Sequence, residues 1–182
     1  MVEQKELLSH KEIDVTIERL SQELVENHQD FKNTVIIGVQ PRGVFLSNRI
    51  TNSLNKRFNN KKIKSGSIDI SFYRDDLRRR EEPIVPKKTD IDFIIEDKNV
   101  ILVDDVLYTG RTIRSAIDAI MNFGRPRSIE LLILINRSFS RHLPIQPDYM
   151  GKKINVLDSE KVIVEWKEIN NRDRVFMINQ DL

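Results

Sequence analysis

Val100–Thr112, near the middle of the chain, reads VILVDDVLYTGRT. Its first four residues are apolar, which is typical of a strand buried on both faces of a sheet. Isoleucines follow at positions 113, 117 and 120, spaced so that they lie on one face of an α-helix. We expect Met121 to face inward with them. The stretch therefore predicts a strand, a short polar turn and a helix.

The polar turn inside this stretch has the chemistry of a phosphate site. A helix that begins after the turn leaves free backbone amides, and the hydroxyls of Thr109 and Thr112 lie beside them. Gly110 allows the backbone to approach a ligand closely. Asp104 and Asp105 would repel phosphate, but at a solvent-facing strand tip they suit sugar hydroxyls or the water shell of a metal ion. Alternatively, the aspartates only cap the helix and contact solvent.

The patterns on either side predict further strands and helices. Apolar strands that alternate with helices predict an α/β fold, in which helices cover both faces of a parallel sheet. Ligands bind at the carboxyl ends of such strands, which are here the turns after Val39 and Val103. The predicted elements are a helix over about 11–27, strands over 34–39, 67–72, 99–103 and 128–135, a helix through Leu46, Ile50 and Leu54, and late strands over 161–166 and 174–178 joined by a turn at Asn170-Asn171.

The composition excludes several classes of protein. A length of 182 residues suits one domain, which we place at 1–182, and 39% apolar with 32% charged residues indicates a globular protein. The absence of cysteine excludes a disulfide scaffold, a cysteine–zinc site and a thiol nucleophile. Lys and Arg number 30 against 28 Asp and Glu, so the charge gives no general sign of nucleic-acid binding. Without a long apolar run or a signal sequence, we expect a cytoplasmic protein with no membrane association.

The stretch 100–112 resembles the phosphoribosyl-pyrophosphate (PRPP) signature of type I phosphoribosyltransferases. Four further stretches resemble one subfamily, the bifunctional pyrimidine operon attenuation regulators that are also uracil phosphoribosyltransferases. They read IGVQPRG at Ile37–Gly43, YRDDL at Tyr73–Leu77, MNFGRP at Met121–Pro126 and LPIQPDYMGK at Leu143–Lys152. The similar blocks run from about residue 10 to about residue 165 and so cover most of the chain.

This resemblance implies a parallel-sheet type I phosphoribosyltransferase fold. It would have a flexible lid loop at about 73–92 and a small hood with C-terminal strands at about 143–182. The implied reaction makes UMP and pyrophosphate from uracil and PRPP, with Mg2+ bound together with PRPP. A 6-oxopurine phosphoribosyltransferase is the alternative enzyme, although Tyr73–Leu77 favours the uracil group. We also expect a homodimer or a higher homo-oligomer.

The resemblance assigns roles to individual residues. The catalytic residues would be Asp104, Asp105, Arg42 and Arg74, and the two aspartates would hold the metal through water. The 5-phosphate would be bound by Val106, Leu107, Tyr108, Thr109, Gly110, Arg111 and Thr112, and the pyrophosphate by Gln40, Pro41, Arg42 and Gly43. The base would be bound by Arg137 and by backbone groups near Tyr149 and Met150. Without the resemblance, Arg42 and Arg74 would be interpreted as surface ion-pair partners, and Tyr149 as a residue that packs over the sheet.

The pyrophosphate loop departs from the family pattern. Gln40 stands where the family has a lysine and Pro41 where it has a threonine, and the lost cation would weaken pyrophosphate binding. Related transferases have a cis peptide in this loop, and the cis form is least costly before proline. We therefore predict a cis Gln40–Pro41 bond. A second departure is Asn136-Arg137-Ser138, which replaces an Asp-Arg-Gly triplet beside the base.

The residues that the attenuation regulators present to messenger RNA are also changed. The first helix keeps Arg19 but has Glu18, Gln22 and Asn27 at the other matching positions. The later loop keeps Arg141, while His142 is shifted by one residue and Gln146 replaces an arginine. A carboxylate at position 18 would repel the phosphate backbone of an RNA. The sequence therefore favours an enzyme over an RNA-binding regulator, and the intact PRPP signature favours an enzyme over a catalytically idle nucleotide sensor.

Overall fold

The computed structural model describes residues 4–59, 62–76, 85–156 and 159–179. In chain order its elements are β1 (Gln4–Leu8), α1 (His10–His28), β2 (Thr34–Val39), α2 (Gly43–Arg57), β3 (Ser65–Ile68), a 3-10 turn (Ser71–Tyr73), β4 (Asn99–Leu107), α3 (Arg111–Ile120), β5 (Ser128–Ser138), β6 (Tyr149–Asn155), β7 (Glu160–Glu165), α4 (Lys167–Asn170) and β8 (Arg174–Asn179).

Five parallel strands form the main sheet, in the order β3-β2-β4-β5-β6. The three central strands carry the continuous apolar runs, because both of their faces are covered. Helices α1 and α2 pack with one face, through residues such as Leu20 and Ile50. Helix α3 packs with the other face through Ile113 and Ile120. The predicted α/β architecture is therefore confirmed.

A second sheet of three antiparallel strands, β1-β8-β7, forms the hood. Its first strand comes from the amino terminus, and Gln4 pairs with Ile178. The predicted hood boundary at about residue 143 was wrong, because Tyr149–Asn155 is the last strand of the parallel sheet and pairs with β5. The hood is thus assembled from both ends of the chain.

Three local predictions were also wrong. The strand predicted over 67–72 ends at Ile68, and Ser71–Tyr73 turns as a 3-10 helix. Helix α3 ends at Ile120, so Met121 is exposed and does not face the core. Strand β4 continues to Leu107 instead of ending near Val103, which moves the start of the polar turn.

Only the ends of the predicted lid at 73–92 fall within the described residues, and Leu77 and positions 78–84 lie outside them. At the first end, the Tyr73 carbonyl accepts a hydrogen bond from Ser115 Oγ at 3.0 Å. At the second, the Asp90 and Ser67 backbones exchange bonds of 2.8 and 2.9 Å. Both described ends are therefore anchored to the fold. In the part of the chain that the structure describes, no helix is long and apolar enough to cross a membrane.

Candidate active site

Asp104 and Asp105 lie inside strand β4, next to the end of the parallel sheet where its carboxyl termini meet. They were expected to face solvent, but only 7% and 8% of their surfaces are exposed, because β4 runs on to Leu107. The two carboxyl groups are close enough for each to act on the pKa of the other. The amide of Asp105 donates to Asp104 Oδ1 at 2.9 Å.

Burial raises the pKa of both carboxyl groups. For Asp104, the neighbouring Asp105 charge adds to the increase in pKa, and the more distant Arg74 opposes it. For Asp105, the Arg42 guanidinium holds the pKa down without cancelling the effect of burial. The pair therefore favours a positive charge placed against it, since such a charge stabilises the ionised form.

The polar turn after β4 is shorter than predicted. Of the seven residues assigned to the 5-phosphate, Val106 and Leu107 belong to β4, and helix α3 begins at Arg111. Tyr108–Gly110 forms the loop itself. Gly110 has φ +90°, a left-handed conformation that side chains rarely adopt, and this turn aims the start of α3 toward the loop.

A segment that follows β5 supports this loop from behind. The His142 and Leu143 amides donate to the Thr109 carbonyl at 3.0 and 3.3 Å. Arg141 Nη1 donates to the Tyr108 carbonyl, and Arg141 Nη2 donates to Asn136 Oδ1 at 2.7 Å. The Tyr108 and Thr109 carbonyls are thus bound to the protein. The Arg111 amide makes a long bond of 3.4 Å to Thr109 Oγ1, and the amides of the first turn of α3 are the groups that an anion would bind.

A cavity of about 250 Å³ joins the loop to the first end of the lid. Arg74 forms a two-pronged ion pair with Asp76, with both hydrogen bonds at 2.8 Å. Arg111 pairs with Asp75 at 2.5 Å. The ion-pair interpretation of Arg74 therefore describes this structure, and Arg74 would have to leave Asp76 to bind pyrophosphate. The cavity is lined by Arg74, Asp75, Asp76, Val106, Leu107, Tyr108, Thr109, Gly110, Arg111, Thr112, Ile113 and Ser115.

The predicted pyrophosphate loop, Gln40–Gly43, lies directly against β4. The Gln40–Pro41 peptide is cis, as predicted. A Cβ atom at Gly43 would come within 2.4 Å of the Val103 carbonyl oxygen and 2.9 Å of Asp104 Cα, so only glycine permits this approach. Arg42 precedes α2 and acts on Asp105 electrostatically. The loop and the carboxylate pair therefore form one site.

The three candidate base-binding residues are placed differently. Arg137 is buried, and its guanidinium carbon lies 3.9 Å from the centre of the Tyr108 ring, beside the phosphate loop. The Tyr149 hydroxyl donates to Glu130 at 2.8 Å, and burial with this contact raises the tyrosine pKa. The Met150 carbonyl accepts a bond from Arg19 at 2.8 Å. Only Arg137 joins the site through its side chain, and the packing role describes Tyr149.

A family model for the phosphoribosyl transferase domain matches residues 3–168. The chain belongs to the phosphoribosyltransferase family. Bifunctional protein PyrR of Clostridioides difficile is 44% identical over 176 residues, which cover 96% of this chain and 98% of the relative. Bifunctional protein PyrR of Microcystis aeruginosa is 45% identical over 173 residues, with coverages of 95% and 96%.

Solved phosphoribosyltransferase structures share this fold. The hypoxanthine phosphoribosyltransferase of Staphylococcus aureus superposes with a TM-score of 0.72 at 21% identity, covering 97% of this chain and 93% of that one. The hypoxanthine phosphoribosyltransferase of Trypanosoma cruzi gives 0.71 at 18% identity, with coverages of 96% and 95%. The predicted type I phosphoribosyltransferase fold is therefore confirmed.

The site of this phosphoribosyltransferase offers a divalent cation few protein ligands. Among the residues that the structure describes, no three His, Cys, Asp or Glu side chains are placed to hold a metal ion together. Two buried carboxylates with raised pKa values nevertheless suit a cation that brings its remaining ligands with it. Asp104 and Asp105 thus fit Mg2+ that is bound together with the phosphates of a substrate.

Basic residues that could contact RNA are instead engaged within the phosphoribosyltransferase itself. Arg19 Nη2 donates to the Met150 and Gly151 carbonyls at 2.8 Å each. Lys152 donates to the Leu7 carbonyl at 2.8 Å, and Arg141 holds the phosphate loop. On the neighbouring helix face, Glu18 accepts bonds from Ser53 and Arg57. An RNA backbone would have to compete for these basic groups.

The sequence analysis missed the two acidic residues of the cavity, Asp75 and Asp76. Both lie in the YRDDL stretch, from which only Arg74 was selected. Their signal was available, since two carboxylates directly after an arginine suggest that the arginine is paired. The role of Ser115 could not be read from sequence, because its contact with the Tyr73 carbonyl joins residues 42 positions apart.

Proposed function

We propose that this phosphoribosyltransferase transfers ribose 5-phosphate from PRPP to uracil and releases pyrophosphate, giving UMP. The observation that supports this proposal most is the buried pair Asp104 and Asp105, which lies between two loops suited to anions. One is the phosphate loop Tyr108–Gly110, and the other is the basic loop Gln40–Gly43. PRPP carries anionic groups on either side of its ribose, so it matches this arrangement.

In this proposal, the 5-phosphate binds the amides at the start of α3, and the pyrophosphate binds Arg42 and the backbone of its loop. As the bond between the anomeric carbon and pyrophosphate breaks, its electron pair leaves with pyrophosphate. Positive charge grows on the ribose beside Asp104 and Asp105, and preorganised carboxylates stabilise it. The base nitrogen then bonds to that carbon and releases its proton.

Mg2+, when bound together with PRPP, would neutralise phosphate charge and make pyrophosphate a better leaving group. The chain would contribute Asp104 and Asp105 to its water shell. Arg74 has a second task in this proposal, since moving from Asp76 to the pyrophosphate would close the site and exclude water. Exclusion of water matters because water would otherwise hydrolyse PRPP.

Uracil is proposed as the base because the relatives at 44% and 45% identity are PyrR proteins, and the YRDDL stretch resembles the uracil group. The hypoxanthine phosphoribosyltransferases of known structure are 21% and 18% identical to this chain, so their similarity supports the shared fold and says nothing about the base. Arg137, stacked on Tyr108 beside the phosphate loop, is the candidate donor to an exocyclic oxygen of the base.

The direct test is to incubate purified protein with Mg2+, PRPP and each of uracil, hypoxanthine, guanine and orotate. We expect pyrophosphate release and nucleotide formation with uracil alone. Turnover of a purine base in preference to uracil would replace the proposal with the 6-oxopurine alternative. No turnover with any base, in a protein that binds PRPP, would support an idle sensor.

A second candidate function is the binding of pyrimidine-operon messenger RNA. It is favoured by the relatives' name, which describes them as bifunctional, and opposed by the internal contacts of Arg19, Arg141 and Lys152. We expect only weak binding that falls steeply with salt, because few phosphate contacts remain. Nanomolar, sequence-specific binding to a pyrimidine leader at physiological salt would contradict this ranking. For the proposed uracil phosphoribosyltransferase we also propose a cytoplasmic location and a homo-oligomeric state.

A further inference from the structure

Lys88 lies at the edge of the sheet where the proposed pyrophosphate site is found. The Ser67 and Asp90 backbones pair in antiparallel fashion, with bonds of 2.9 and 2.8 Å. In that register Lys88 comes level with Asp69, just beyond the carboxyl end of β3. The Asp69 amide donates to Thr89 Oγ1 at 3.0 Å, which fixes the residue after Lys88.

The pyrophosphate loop touches Lys88 directly. Gln40 Nε2 donates to the Ser67 hydroxyl at 3.3 Å and to the Lys88 carbonyl at 3.4 Å. Gln40 is the first residue of the pyrophosphate loop. Its side chain thus connects this loop to β3 and to the second end of the lid. Lys88 is exposed, so its four-carbon stem is free to carry the ammonium group toward a ligand on that loop.

The pyrophosphate loop offers little positive charge for an anion as highly charged as pyrophosphate. Arg42 is the single basic residue in Gln40–Gly43, and it already acts on Asp105. Arg74 is neutralised by its ion pair with Asp76. By contrast, within the described residues Lys88 has no ion pair with a carboxylate. An anion on the loop would therefore lie next to the Lys88 backbone, within reach of an ammonium group that no described carboxylate neutralises.

We infer that Lys88 is a substrate-binding residue that contacts the pyrophosphate group of PRPP and compensates for the neutral side chain at position 40. This inference rests on the proposed PRPP site but not on the identity of the base. The ammonium group would reach pyrophosphate from the side of the loop where the lid ends, and Lys88 would thereby complete the pyrophosphate site. The alternative is that Lys88 is a solvated surface lysine.

The test compares four full-length proteins: wild type, Lys88→Ala, Lys87→Ala, and the double variant Gln40→Lys with Lys88→Ala. The readouts are the KM for PRPP, the KM for uracil, and the Kd values of inorganic pyrophosphate and of UMP by calorimetry. Thermal unfolding of each variant reports whether the fold is intact. Lys87 is the matched control, since it is the adjacent exposed lysine.

We expect Lys88→Ala to raise the PRPP KM and the pyrophosphate Kd about tenfold, as for the loss of one charged hydrogen bond. UMP affinity and the KM for uracil should stay unchanged, because UMP lacks pyrophosphate. Lys87→Ala should behave as wild type, and lysine at position 40 should restore pyrophosphate affinity in the double variant, because it returns a cation to the same loop.

Unchanged pyrophosphate affinity in Lys88→Ala would overturn the inference, as would an equal loss in Lys87→Ala or an equal loss of UMP affinity. A wild-type protein that binds PRPP but does not turn over uracil would refute the proposed base, while the pyrophosphate measurements still decide the role of Lys88. A wild-type protein that binds neither PRPP nor pyrophosphate would overturn both.

Discussion

At the scale of single residues, Asp104 and Asp105 determine what the site can do. Two adjacent carboxylates are buried, and within the described residues their nearest cations, Arg42 and Arg74, act on them only through longer-range electrostatics. Burial of two ionised carboxylates costs free energy when no positive charge lies against them. A positive charge that develops on a substrate relieves that cost, so the site favours a cationic transition state over a neutral ground state.

We expect replacement of both residues, Asp104→Asn and Asp105→Asn, to lower turnover by roughly 10²–10³-fold, the scale of losing a preorganised electrostatic partner. PRPP binding should be retained or slightly tighter, since repulsion of an anion is removed. Steady-state kinetics with uracil and calorimetry with PRPP would measure the two effects. Turnover at the wild-type rate would show that the catalytic assignment is wrong.

The raised pKa of Asp104 also predicts how stability depends on pH. A carboxyl group whose folded pKa lies above its ordinary value of 3.8 binds its proton more tightly in the folded state. Its contribution is fully present below the unfolded pKa and is lost as the pH rises through the folded value. The free energy of unfolding should therefore decrease from acidic toward neutral pH more steeply in wild type than in Asp104→Asn. Equal slopes in the two proteins would contradict the direction of the pKa shift.

At the scale of elements, apolar runs and helical periodicity were enough to predict β2, β4, β5, α1 and α2. Strands β1 and β6 were missed, because QKELL and YMGKKIN are edge strands whose lysines and glutamate hide the apolar pattern. Both find their place only through long-range pairing, β1 with β8 and β6 with β5. Local sequence carries no signal for such partners.

The candidate site was predictable in part for the same reason. The loops that follow β2 and β4 were located by the apolar strands that precede them, although the second begins after Leu107 and not after Val103, and both lie at the carboxyl end of the parallel sheet. The burial of Asp104 was not predictable, because an aspartate pair normally ends a strand and here β4 continues through it. The ion pair of Arg74 with Asp76 depends on the backbone turn between them.

Gly43 joins helix α2 to the site, and its substitution tests that junction. In Gly43→Ala the new Cβ would meet the Val103 carbonyl at 2.4 Å, so the start of α2 must move away from β4. We expect turnover to fall by about 10²-fold, as for a displacement of about 1 Å in an active site. The control is Asn52→Ala, an exposed position on the same helix. Kinetics that are equally unaffected in both variants would show that the close approach is not needed.

At the scale of the whole molecule, one arginine ties the hood to the parallel sheet. Arg49 of α2 donates to Asp173 at 2.7 Å and to Glu168 at 2.9 Å. Both partners lie in the segment that joins β7 to β8 of the hood. Its guanidinium carbon also lies 4.7 Å from the centre of the Trp166 ring. Burial raises the pKa of Asp173, but the bonds from Arg49 and the Lys167 amide outweigh it, so the pKa is lowered.

Removal of this arginine should destabilise the molecule more than the loss of an ordinary ion pair. In Arg49→Ala the Asp173 side chain, 2% exposed, would lose its guanidinium partner and keep only the Lys167 amide and His10, so we expect a loss of about 3 kcal/mol in the free energy of unfolding, the lower end for a broken buried pair. Trp166, the single tryptophan, is fully buried and reports the change, so its emission should shift to the red. The control is Arg127→Ala, whose pair with Asp97 lies on the surface and should matter little. If urea unfolding followed by tryptophan fluorescence gave the same stability for both variants, Arg49 would not be the residue that holds the hood in place.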